Sequence, residues 1–360
     1  MPRDLDVLLE RYGDLAVHVG LNLQPGQRLL VIGPVAHGGA SLEAAPLVRQ
    51  IVASAYRAGA RLVEVLWGDE ALLVARFRHA PRDSFGECSA WLPAALAAHA
   101  QSGGAVLSVY ANDPDLLRQE SPELVGALQQ AVSRSVRPFR EHISRNDTNW
   151  SVVAAPSPRW AARVFPELPA ERQVDALWEA IVTLCRLDVP DPIAAWRAHI
   201  EALSARRDYL NERRYDALRY RGPGTDLTIG LPAGHVWVSA RSESRTGILF
   251  TANLPTEEVF TMPHRERVDG TVTGSKPLSH GGTLIEGFSL TFARGQVVDL
   301  RAERGEAVLR QLFETDEGAA RLGEVALVPD ESPISRSGRL FYNTLFDENA
   351  ASHLALGSAY

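Results

Sequence analysis

The first half of this 360-residue chain alternates short apolar runs with helix-length amphipathic stretches, and few architectures accept that pattern. The apolar runs cover 28–33, 61–67, 105–110 and 151–155. The first is continuously apolar after Arg28 rather than alternating, as a strand buried on both faces requires. Helices are expected over 5–19, 42–58, 83–98, 122–136 and 170–184. Leu5, Leu8, Leu9, Tyr12, Leu15 and Val19 recur at helical spacing, Gly59 ends the second helix, and Pro122 opens the fourth. Strands separated by helices of this length imply βαβ units, hence an α/β domain with a mostly parallel sheet covered on both faces.

The texture changes in the second half. Pro190 and Pro192 stop the preceding helix and mark a boundary, so two domains are expected, 1–188 and 189–360. A charged amphipathic helix over 193–218 follows. Beyond Tyr220, short strands bounded by glycine turns are expected at 226–231, 237–239, 247–250, 270–273, 285–292 and 296–301, with helices at 306–314 and 316–322. This half reads as an α+β domain with mainly antiparallel strands.

Composition narrows the function. The net charge is −7 and no basic block occurs, which argues against a nucleic-acid partner. Cys88 and Cys185 lie far apart, so neither a disulfide framework nor a thiolate zinc site is expected. No apolar signal core opens the chain and no run is long enough to span a membrane, so the expectation is a cytoplasmic protein. The loop 33–40 follows the first strand but lacks both the spaced glycines of a dinucleotide site and the Gly-Lys-Ser/Thr of a P-loop. A strand-to-helix connection is its expected role.

Three segments carry candidate chemistry: 253–261 with Glu257 and Glu258, 321–324 ending in Glu324, and 346–353 ending in His353. Carboxylates and an imidazole are the donors of divalent-metal sites. Neighbouring side chains of an extended segment point to opposite faces, so at most one of Glu257 and Glu258 faces a given ion. Glu324 precedes the apolar run from Val325 to Val328, at an expected helix-to-strand junction. Taken singly, each carboxylate reads as a solvated acid and His353 as a core histidine. No Gly-x-Ser-x-Gly elbow and no His-Glu-x-x-His helix competes with these segments.

Taken in order, these segments resemble the M29 family of metallopeptidases, the aminopeptidase T group. The resemblance runs along the whole chain and is most specific at Asn-Leu-Pro-Thr-Glu-Glu-Val-Phe-Thr from Asn253, Gly-Gly-Thr-Leu-Ile-Glu-Gly from Gly281, 315–324 and 345–353. It implies an N-terminal α/β domain, a C-terminal catalytic domain and a homodimer that removes N-terminal residues from peptides. It also implies two divalent metal ions, zinc, cobalt, manganese or magnesium, that activate a shared water. By motif the ligands are Glu258, Glu324 and His353, with Glu324 the carboxylate shared between ions. Tyr360 matches the family's catalytic tyrosine, and Glu257, if not itself a ligand, is the candidate for proton transfer to the leaving amine. The family's further His-x-Asp ligand pair has no counterpart after His353. The resemblance therefore implies a chain lacking the family's C-terminal end, with one ion or none and weak activity. The alternative is a metal-poor, inactive dimer that binds peptides or serves as a scaffold.

Overall fold

The computed structural model describes residues 5–280, 283–314, 316–357 and 359. Four of the expected runs form strands: β1 (Arg28–Ile32), β2 (Leu62–Val65), β3 (Ala105–Tyr110) and β4 (Trp150–Ala154). They make one parallel sheet in the order β2–β1–β3–β4. Leu29, Val31, Leu107 and Val109 are fully buried in it, which is why these runs are apolar. The helix Leu5–Leu15 buries Leu9, Tyr12 and Leu15, and the Tyr12 hydroxyl accepts the Ala154 amide at 3.2 Å.

The loop after β1 is engaged by its own backbone. Ala40–Ser41 pairs in parallel with Trp67–Gly68, and the Ala40 amide donates to the Leu66 carbonyl at 2.8 Å. Gly39 has φ +141°, and a Cβ there would meet the Leu66 carbonyl oxygen at 2.4 Å. The His37 and Gly38 amides are likewise engaged, by the Pro34 and Val35 carbonyls at 2.9 and 3.0 Å.

One expected helix is placed differently. Instead of 83–98, the chain forms helices at Glu70–His79 and Trp91–Gln101, with a short 3₁₀ turn at Arg82–Gly86 between them. Asp69 starts the first by accepting the Ala71 amide at 2.8 Å, and Pro81 follows its end.

The chain divides into two compact units, but not by a single cut after 188. One unit extends to Ile200 and takes back Arg241–Thr256; the other comprises Glu201–Ala240 and the chain from Glu257 onward. Asp191 starts the helix Pro192–Arg213 by accepting the Ala194 amide at 3.0 Å, so the proline pair opens a helix as well as closing one. The segment 241–256 returns because its backbone extends the edge of the parallel sheet. The Val152 amide donates to Ala252 at 2.8 Å and the Leu254 amide to Val152 at 3.0 Å.

The second unit contains β5 (Ala217–Gly222), β6 (Thr225–Gly230), β7 (Val259–Thr261), β8 (Val268–Thr273), β9 (Ser289–Ala293), β10 (Gln296–Arg301), β11 (Leu322–Leu327) and β12 (His353–Leu356). An antiparallel sheet runs β10–β9–β8–β6–β5, and a smaller antiparallel sheet runs β7–β11–β12. Their common core includes Leu227, Ile229, Trp237, Val259, Phe292 and Val325. The helix Glu306–Phe313 forms as expected, whereas 316–321 is a turn that leads into β11.

Candidate metal centre

The three-stranded sheet β7–β11–β12 assembles the candidate ligands by register. Phe260 pairs with Ala326, and Ala326 pairs with His353. Directly paired residues share a sheet face, as do residues two apart on one strand. The face that carries Ala326 therefore also carries Glu324 on β11, His353 on β12, and Glu258 two residues before Phe260. The opposite face carries Val259 and Val325, buried in the core cluster, and Leu354, partly buried and packed against it. Alternation alone separates Glu258 from Glu257.

The side chains complete this arrangement. One donor atom each from Glu258, Glu324 and His353 lies within 4.8 Å of the others. His353 Nε2 is 3.1 Å from Glu258 Oε2 and 3.6 Å from Glu324 Oε1. The side chains retain only 8%, 15% and 20% exposure for Glu258, Glu324 and His353. Glu324 lies inside β11 rather than at its entrance, beside a register shift between Leu322 and Glu324.

This geometry fits a cation. His353 Nδ1 lies 3.1 Å from the Ala351 carbonyl, an acceptor, so Nδ1 carries a proton and donates it there. Nε2 of the neutral ring then turns a lone pair toward two carboxylates. Glu258 Oε2 is buried and receives no directed hydrogen bond despite its closeness to the ring. Three electron-rich atoms at this spacing repel unless a proton or a metal ion lies among them. Without metal, a proton takes that place. Burial works against charging the ring, but the hydrogen bonds and charges of Glu258 and Glu324 outweigh it and raise the His353 pKa to about 10.

Two neighbours with no role assigned from the sequence belong to this site. Burial, and then the charge of Glu258, pushes Glu348 up to about 8. Asn349 is fully buried, and its Oδ1 accepts the Glu257 amide at 2.7 Å while its Nδ2 donates to the Leu345 carbonyl at 3.2 Å. Asp347 fixes the turn before them by accepting the amides of Phe341 at 2.7 Å and Asn343 at 3.0 Å. Burial raises its pKa to about 6 against the pull of those amides. Glu348 and Asn349 stand inside the 346–353 motif, but no periodicity of that segment marks them as different from their neighbours. Glu257 is itself 2% exposed. Tyr360 lies outside the described residues. A separate cleft of about 920 Å³ within the first unit, lined by Glu70, Arg118 and Arg159 among others, contains none of the three candidate ligands.

Two carboxylates and an imidazole converging on one face of a β-sheet form a candidate divalent-metal site. The model of the thermophilic metalloprotease family (M29) matches residues 5–360, and the chain belongs to that family. Aminopeptidase 2 of Geobacillus stearothermophilus is 48% identical over 98% of this chain and 84% of its own length. Aminopeptidase T of Thermus thermophilus is 49% identical over 98% of this chain and 85% of its own length. The solved structure of wild-type AmpT from Thermus thermophilus superposes with a TM-score of 0.91 at 48% identity, covering 98% of this chain and 85% of that one. The match to residues 5–360 gives no support by itself to the expectation that the family's C-terminal end is missing.

Proposed function

We infer that this protein is a metal-dependent aminopeptidase, cleaving N-terminal residues from peptides at the sheet face formed by Glu258, Glu324 and His353. The observation that carries this reading is the buried, mutually repelling donor set in a chain of the M29 metalloprotease family. Three protein ligands suit a catalytic site, which keeps a position open for water or substrate. Carboxylates with one imidazole accept zinc, cobalt, manganese or magnesium. Glu258, Glu324 and His353 would hold a divalent ion, which would supply a bound water of lowered pKa and a Lewis acid for the scissile carbonyl. Glu324, on the central strand, is the proposed shared carboxylate if two ions bind, and metal stoichiometry decides between one and two.

The residues of the chain divide the remaining work. His353 is oriented by the Ala351 carbonyl, so Nε2 is the nitrogen presented to the ligand position. Two carboxyls compete for proton transfer to the leaving amine. Glu257 is the one suggested by resemblance, but alternation turns it away from the ligand face. Glu348 feels the charges of all three ligands, and in the metal-free protein its pKa is raised to about 8, by burial first and then by Glu258. Tyr360 is the proposed hydrogen-bond donor to the tetrahedral oxyanion, a role worth about 2.7–4 kcal/mol.

The protein is further proposed to act as a cytoplasmic homodimer. Cys88 and Cys185 are thiols rather than halves of a disulfide, in keeping with a reducing compartment, and among the described residues no helix is long and apolar enough to cross a membrane. Light scattering tests the dimer. The function is tested by metal analysis alongside release of p-nitroaniline from aminoacyl p-nitroanilides, before and after chelation. Metal-independent cleavage, or none with each candidate ion supplied, refutes it.

A further inference from the structure

The three candidate ligands are not held alike. Glu324 lies inside β11 and His353 opens β12, so each is fixed by the ladder between those two strands. Glu258 comes one residue before β7, whose first pair joins Val259 to Leu327. A ligand outside the ladder needs another source of order, because a site about 1 Å too loose fails. That order comes from the peptide group joining Thr256 to Glu257. His199 Nε2 lies 2.9 Å from the Thr256 carbonyl oxygen, and the Glu257 amide donates to Asn349 Oδ1 at 2.7 Å. A peptide group is planar, with its carbonyl and amide directed opposite ways, so a bond at each end stops it rotating about the line between its two Cα atoms. Thr256 and Glu257 are buried, which leaves both groups dependent on these partners.

Both partners are themselves constrained. His199 stands on the helix Pro192–Arg213, and Arg186 Nη2 lies 3.4 Å from its Nδ1. A guanidinium only donates, so Nδ1 accepts and Nε2 carries the proton that goes to the Thr256 carbonyl. The His199 ring stands edge-on to Trp196, with centroids 5.4 Å apart, and the Arg186 guanidinium lies over the same indole at 5.2 Å. Trp196 is fully buried and donates its Nε1 proton to the Cys185 carbonyl at 2.7 Å. Asn349 is also fully buried, and its Nδ2 donates to the Leu345 carbonyl at 3.2 Å. The two bonds on the peptide group therefore come from side chains that have little freedom to move.

We propose that His199 and Asn349 are positioning residues of the metal centre, holding the Thr256–Glu257 peptide group so that Glu258 presents its carboxylate to Glu324 and His353. Each acts through the backbone rather than at the ion. With the grip released, Glu258 keeps its chemistry but loses its place, so affinity for the ion falls while the donor set stays complete. Groups that orient ligands in this way typically contribute about 10- to 100-fold in metal affinity.

The test removes the donor at His199 and then restores it. His199→Phe keeps an aromatic ring but loses the Nε2 proton; His199→Gln returns an N–H at a similar reach. Zinc affinity is measured by competition with a chelator, cobalt coordination by its visible absorption, and folding by thermal melts of the chelated proteins. His199→Phe should bind zinc about 10- to 100-fold more weakly, with an altered cobalt spectrum, and His199→Gln should recover most of that affinity. If His199→Phe does not fold, His199→Asn, whose amide is too short to reach the carbonyl, should show the same loss. The double variant His199→Phe/Asn349→Ala should lose less than the product of the two single losses, because both bonds hold one peptide group. The proposal rests on the metal-centre reading, and the two fail separately. A wild type that takes up none of zinc, cobalt, manganese or magnesium refutes that reading and this proposal with it. A folded His199→Phe or His199→Asn protein that binds zinc within about twofold of wild type with an unchanged cobalt spectrum, whatever its melting temperature, overturns this proposal alone.

Discussion

Replacing Glu258 with glutamine should weaken metal binding severely, whereas the same change at Glu257 should not. Glu258 Oε2 lies 3.1 Å from His353 Nε2 in a site with 8% exposure at the glutamate side chain, so its charge acts with little screening. The metal-free protein gauges that field. Raising the His353 pKa from 6.5 to about 10 corresponds to about 5 kcal/mol, at about 1.4 kcal/mol for each tenfold change in proton affinity. That figure is net of burial, which opposes the charge; Glu258 and Glu324 raise the pKa against it, the Ala351 carbonyl adds to them, and Glu258 is the closer. A cation in the proton's place experiences the same carboxylates, so losing Glu258 should cost at least about half of the net figure, or about 2–3 kcal/mol. That is about 30- to 150-fold in the dissociation constant. Titration calorimetry with zinc or cobalt on wild type, Glu258→Gln and Glu257→Gln measures it. Nitrogen-detected NMR of the metal-free proteins should also show the His353 pKa falling toward its ordinary range only in Glu258→Gln. Equal losses of affinity in both variants, or none in Glu258→Gln, would refute the strand-alternation argument that selects the ligand.

Ala326 is fully buried and stands between Phe260 and His353 in the register, two residues from Glu324, so Ala326→Leu should fill the space where the ligands converge and abolish stoichiometric metal binding, as read by metal analysis of the folded protein. Metal uptake should release protons below about pH 10, because His353 is charged in the free protein; affinity should therefore climb with pH, measurable by calorimetry in buffers of different ionisation enthalpy. His353 and Glu348 both have folded pKa values above their ordinary ones, at about 10 and about 8, so their contribution to metal-free stability is complete in acid and is lost as pH rises through those values. Thermal melts of chelated protein should show that decline, and saturating metal should flatten it. Asn349→Ala leaves the buried Glu257 amide without its acceptor, and denaturant unfolding should register a loss of about 1–3 kcal/mol.

The parallel sheet was legible because its strands are buried on both faces and so appear as apolar runs with little alternation. The helices 122–135 and 170–184 were legible by their spacing and by the prolines near their starts. The helix Glu70–His79 was not, since Phe77 is its one buried residue and it carries almost no apolar stripe. Nor was the return of 241–256 to the first unit. That return is made by backbone hydrogen bonds to Val152, which any side-chain sequence can form. The three ligands were named from their motifs, while local pattern alone left each of them looking like a solvated acid or a core histidine.

By itself the sequence determined the α/β character of the first unit, the β-rich character of the second, and the inventory of donors available for a cation. It also determined that Glu257 and Glu258 face opposite ways, because a strand has a period of two. The motif resemblance named Glu258, and the tertiary structure supplies the physical reason: it is Glu258 that shares a sheet face with Glu324 and His353. That choice depends on the pairing of β7, β11 and β12, three segments separated by long stretches of chain, and a slip of one residue would exchange the two faces. The same pairing sets Phe260 in one row with Ala326 and His353. Register is fixed by burying Val259 and Val325 in the core with Leu354 packed against them, so the hydrophobic face of the sheet positions the chemistry on its other side.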